Sequence, residues 1–219
     1  MEQLRRVSTA RYVATGASII LGLLLGMDLF SSSHESFRDF DGARMGELDA
    51  AMWRSYYERK PARLFWQLAA AHREQFHTGF VRSFPIALRA AQAAFTFKDG
   101  RSRADYARAL PDLQRYFGTL NAIAAEPFDV NQAAKDELEW WIIRREPEKH
   151  TPDDWSRYIG SVASTIYHRP VDSFAEYSRL RVEAMAFRDQ RGESITEADW
   201  ARISETLKRS WSSLAAAVH

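Results

Sequence analysis

The sequence predicts an all-α protein: a multi-helix bundle of about seven to nine helices, preceded by one N-terminal helix of transmembrane length. Three observations carry that prediction. Apolar residues recur every three or four positions in one segment after another. Most segments open on Ser, Thr or Asp, with an acid or amide three residues further on. Sustained apolar/polar alternation is rare and β-branched residues are sparse, so strands are not expected. With 46% hydrophobic residues, 13% aromatic and seven Trp among 219 positions, the chain can bury the core of one ordinary domain.

The first element lies at residues 12–30, "YVATGASIILGLLLGMDLF". No charge falls between Tyr12 and Met27, and Arg5, Arg6 and Arg11 precede it. At ~1.5 Å per residue such a segment reaches roughly 28 Å, the depth of a bilayer's hydrocarbon. The arginines place the N-terminus in the cytoplasm and the rest of the chain outside it, a single-pass protein of the cytoplasmic membrane. Ser18, Gly22 and Gly26 repeat every four residues, and Gly22 and Gly26 would let a second membrane helix approach closely. Competing readings are a cleaved signal peptide ending near Ser31-x-Ser33, an apolar helix buried in a soluble fold, and a soluble form starting at Met27.

The domain plan is therefore an anchor over 1–30, a polar linker over 31–42 and a helical bundle over 43–219. Within the bundle, helices are expected near 43–59, 61–77 and 84–98, then 103–110 and 111–125, divided at Pro111. Four more follow near 130–146, 152–167, 174–191 and 197–218. Ser102, Asp129, Thr151, Ser173 and Thr196 each stand three residues ahead of Asp, Gln or Glu, the pattern of a capping box. In the final helix Trp200, Ile203, Leu207, Trp211, Leu214 and Val218 form one apolar stripe, a seam against other helices.

Composition excludes several classes of function. Thirty basic residues against 29 acidic ones leave a net charge of +1, without the basic excess that nucleic-acid binding requires. No cysteine is present, which removes disulfides, thiolate metal sites, iron–sulfur clusters and a Cys nucleophile. Dinucleotide, Walker-type, nucleophile-elbow and H-E-x-x-H motifs are missing, and no cofactor is expected.

Glu74 and His77 form an E-x-x-H, the spacing by which one helix offers two ligands to a carboxylate-bridged metal pair. Chance supplies roughly 0.4 of such a pair from six His and 15 Glu, and a second pair is lacking. On a helical wheel Glu74 lies about 180°, and His77 about 120°, from the stripe of Phe65, Leu68, Ala69, His72 and Phe76. They are weak metal candidates, facing solvent or a flank.

Other polar groups point inward. His72 lies on its helix's apolar stripe, and Glu137 sits amid Val130, Ala133, Ala134 and Trp141, with Arg144 two turns on. A buried carboxylate needs a partner, so Glu137 is expected to meet an Arg or a His, His72 being one possibility. Together the three define a polar network or ligand pocket. Trp140 and Trp141 beside Arg144 and Arg145 suit either cation–π contacts at an interface or a bulky core edge. The function expected is a non-catalytic, membrane-anchored subunit or interaction domain with a protein partner or a second copy. The alternative is a small helical enzyme or binding protein using His72, Glu137 and Arg144.

Overall fold

Side-chain caps set most of the helix starts. Thr151 and Thr196 close full capping boxes with Asp154 and Asp199, while Asp41 and Asp129 accept from the first free backbone amides of their helices. The computed structural model describes residues 34–219, together with Gly26 and Asp28. Among these, eight helices exceed one turn: α1 Gly42–Tyr57, α2 Pro61–Phe76, α3 Ser83–Lys98, α4 Leu110–Asn121, α5 Val130–Arg144, α6 Pro152–Tyr167, α7 Ala175–Arg191 and α8 Glu197–Val218. No strand occurs among the described residues; Glu35 and Ala124 form one isolated bridge.

Local chemistry explains the departures from the sequence expectation. Ser173 caps nothing: it lies inside a 3-10 turn, Val171–Phe174, and α7 opens after Phe174 instead. The expected helix over 103–110 is one α-turn, Arg103–Tyr106, and a 3-10 turn, Ala107–Ala109, running into α4 at Leu110. The fixed φ of Pro111 suits the first turn of a helix, so Pro111 starts α4 more than it divides two helices. The stretch expected as a polar linker holds two core residues, since Phe37 and Phe40 are buried. Phe37 meets Phe76 edge-on at 4.7 Å, and Glu35 N–H donates to the Ile123 carbonyl at 2.7 Å.

Each helix packs on the next along the chain, and α8 returns to lie against both α7 and α1, so the eight close into a ring. That closure brings two helix backbones together at close range. A Cβ on Gly42 would fall 2.6 Å from the Ser212 Cα, and one on Gly46 only 2.3 Å from the Lys208 Cα. No side chain fits there, and the two glycines let α1 and α8 touch backbone to backbone. The stripe expected on the last helix is the seam itself, with Trp200, Ile203, Leu207, Trp211, Leu214 and Val218 all buried.

Among the described residues no helix is long and apolar enough to cross a membrane. The expected anchor, with Gly22, lies outside the described residues except for Gly26 and Asp28. Gly26 is helical, with nothing within 4 Å of a Cβ placed on it.

Candidate functional site

The ring turns several polar groups toward its middle, one or more from most helices. From α1, Asp49 is 2% exposed. It forms an ion pair with Arg181 of α7 and accepts from the Trp211 indole N–H of α8 at 2.9 Å. The Arg181 guanidinium also lies 5.6 Å from the Trp53 ring centre and 5.7 Å from that of Trp211. Burial works against this cation, but Asp49, Tyr177 and Glu137 outweigh it and hold Arg181 charged.

Glu137 of α5 is the second interior carboxylate. The residue is half-buried. Its Oε1 accepts from the Trp141 indole N–H one turn on, at 2.9 Å. Burial raises its pKa above the usual carboxylate range, opposed by hydrogen bonding from Trp140 and Trp141 and by the charge of Arg181. The cation acting on Glu137 is thus Arg181, at longer range than an ion pair.

Across the ring, the His72 Nδ1–H donates to the Leu68 carbonyl at 2.7 Å, since a carbonyl only accepts. That leaves Nε2 to accept the Tyr116 hydroxyl at 3.1 Å. Burial pushes the His72 pKa down to about 4, so the ring is neutral near pH 7. Burial, reinforced by Glu137, pushes the Tyr116 hydroxyl well above its usual range. The Tyr167 hydroxyl accepts from the Gln75 side-chain amide at 2.9 Å, and burial pushes Tyr167 above its usual range and Tyr177 up to about 12. These groups comprise one charged pair, a raised carboxyl, a neutral imidazole and protonated tyrosines.

Of the three residues expected to gather, His72 bonds Tyr116, whose hydroxyl also feels the charge of Glu137, and no hydrogen bond joins Glu137 to His72. Arg144 is elsewhere: it pairs with Asp189 of α7 at 3.0 Å and bonds Tyr57. The place expected for Arg144 is taken by Arg181. Trp140 and Trp141 form part of the core edge, Trp141 meeting Phe97 at 5.2 Å, while Arg145 rather than Arg144 lies over an aromatic ring, that of Phe97 at 5.3 Å. Glu74 and His77 separate in role. Glu74 accepts from the Asp41 amide at 3.4 Å, whereas His77 caps α2 in the left-handed conformation and bonds the Asp39 carbonyl. Both tie down the 34–41 strap, and no metal-binding group of three ligands occurs among the described residues.

An open depression at one end of the ring is lined by Arg38, Glu126, His168, Arg169 and His219. Arg38 is spent on structure there, donating to the Val218 carbonyl at 3.0 Å and the Tyr167 carbonyl at 2.8 Å, besides pairing with Glu126. Two helix C-termini, α6 and α8, direct their carbonyls into the dish, and their dipoles disfavour an anion.

The outer surface differs sharply at α2 and α3. Trp66, Phe80, Leu88 and Phe95 are 50–61% exposed. Phe84 joins them, touching Trp66 at 4.8 Å and Phe80 at 5.4 Å. On α3, Phe84, Leu88, Ala91 and Phe95 follow steps of four, three and four, so they share the outer face, while Ile86, Ala93 and Phe97 are buried on the inner one. A helix apolar on both sides is made to be covered on both sides.

Comparison with known proteins gives no family model, no curated relative and no solved structure that matches the chain significantly.

Proposed function

We propose that this protein is a non-catalytic, membrane-anchored helical subunit of a larger membrane assembly, working by docking rather than by chemistry. The observation that carries this reading is the outer stripe of α3 with Trp66 and Phe80: large apolar side chains gathered on one face. Contiguous aromatic exposure of this kind marks a surface meant for contact. The interior polar groups support it too. Asp49 is satisfied by Arg181 and Trp211, His72 by Leu68 and Tyr116, and Arg144 by Asp189. Groups already paired with one another hold helices in register and have little capacity left for a substrate.

The test is to express the full chain, tagged at its C-terminus, in its native host and to extract the membranes gently. The expected result is recovery from the membrane fraction at a native mass above one chain. Recovery as a soluble single chain would overturn the proposal.

A further inference from the structure

We infer that the α2–α3 face rests on an anionic bilayer surface, its aromatic residues entering the interface and its cations meeting lipid phosphates. This deepens the anchored reading and rests on it, by naming what covers the outer stripe.

The first support is charge. Residues 61–100 contain Arg63, Arg73, Arg82, Arg89 and Lys98 against only Glu74 and Asp99, in a chain whose totals are 30 basic and 29 acidic. Arg63, Arg89 and Lys98 take part in no ion pair between described residues. Helix geometry sets these three on the margins of the apolar face: Arg63 is about 60° from Trp66, while Arg89 and Lys98 flank Leu88 by about 100° and 80° on opposite sides. Arg73 lies over the rings of Phe80 and Phe84, 5.0 and 5.9 Å from their centres. An aromatic and aliphatic centre with a rim of long cationic side chains is what a headgroup boundary selects, because the stems lie along the apolar surface while the charges reach phosphate.

The second support is position. The Val81 amide donates to the Asp28 carboxylate, and a Cβ on Gly79 would fall 1.3 Å from the Asp28 Oδ1. Asp28, the residue that follows the apolar 12–27 segment in the sequence, is therefore held at the α2–α3 turn, next to Phe80. Wherever that segment enters a membrane, it starts beside the exposed face. A second copy fits less well, since a symmetric pairing through this face would set its cationic margins against themselves.

The chain has no cysteine, so a single nitroxide label can be placed at will. Trp66→Cys and Phe95→Cys would probe the face, and Arg209→Cys on α8, packed against α7 and α1, would be the control. All three sites are exposed, which limits the effect of labelling on folding. The full chain is reconstituted into phosphatidylcholine vesicles with and without phosphatidylglycerol, and collisions with oxygen and a water-soluble nickel chelate are compared. Expected is a several-fold rise in the oxygen-to-nickel ratio at Trp66→Cys and Phe95→Cys when phosphatidylglycerol is added, with Arg209→Cys unchanged. Ratios equal to that of the control would overturn the inference, as would ratios insensitive to phosphatidylglycerol. Exclusion of both reagents at the face, in vesicles and micelles alike, would mean a protein cover. That outcome also overturns the inference, while recovery of a membrane assembly from the native host would leave the anchored reading standing.

Discussion

Acid should loosen this fold through His72, with a sign and size that follow from its position. The ring is 3% exposed, with both nitrogens engaged. Its pKa falls from 6.5 to about 4 because burial disfavours the charged form. The unfolded chain therefore binds a proton at His72 between these values while the folded chain does not. Stability from this group is fully present above pH 6.5 and declines as pH falls toward 4. At ~1.4 kcal/mol for each pKa unit, the loss is about 2 kcal/mol at pH 5 and roughly 3 kcal/mol below pH 4. Glu137 acts in the opposite sense, since its raised pKa lets the folded state take up a proton first as pH falls. The wild type must therefore be compared with His72→Gln, which keeps an acceptor toward Tyr116 but does not titrate. Denaturant unfolding of the full chain in micelles, at steps between pH 4 and 8, should show the stability difference shrinking or reversing by about 2 kcal/mol toward pH 5. Parallel curves for the two proteins, or a His72 pKa at or above 6.5 by NMR titration, would refute the argument.

Four further outcomes are expected. Arg181→Met leaves Asp49 buried beside one indole donor and should destabilise by roughly 3–5 kcal/mol in chemical denaturation; Arg181→Met with Asp49→Leu should recover part of that loss, because no unpaired charge remains. Gly46→Ala drives a methyl into the Lys208 backbone and should destabilise by about 1–3 kcal/mol or more. Gly118→Ala, which has open space around it, should instead raise the melting temperature, by about 0.5–1 kcal/mol of stability. Gly79→Ala should expel the Asp28 carboxylate, and hydrogen exchange at the Val81 amide should then quicken while amides in α5 and α8 stay protected.

Much of the bundle is legible in the sequence because local signals coincide with global packing. Thr151 and Thr196 cap where the pattern says, and the α8 stripe is buried to its last member, Val218. The wheel also placed His72 and Glu137 correctly on inward faces. It failed on partners, since periodicity reports which way a side chain faces and not which helix lies opposite. Asp49 was within reach of the same reasoning, standing four residues after Met45 and three before Met52 on the buried stripe of α1. Arg181 likewise stands four residues after Tyr177 and three before Ala184, both buried. A search for every charge on an apolar stripe finds the Asp49–Arg181 pair; a search that starts from E-x-x-H does not. Phe37 and Phe40 were hidden for another reason, because the Ser, Asp and Arg residues around them give the strap a polar composition.

The outer stripe of α3 was hidden by its own composition. A helix with Phe84, Leu88 and Phe95 on one side and Ile86, Ala93 and Phe97 on the other shows little preference for a face, and periodicity alone reads it as core. Only the ring's geometry separates the two sides, since α3 packs against α2 and α4 and nothing among the described residues lies beyond its outer face. Burial of each such side chain is worth about 1.5–3 kcal/mol, so leaving several in water forgoes a sum comparable to a domain's net stability. The α3 helix carries Arg89 and Lys98 with no acid of its own, and its outer face calls for a cover that accepts positive charge. A lipid headgroup surface meets that condition, and an acidic face on a protein partner would be the one other solution the labelling experiment has to exclude.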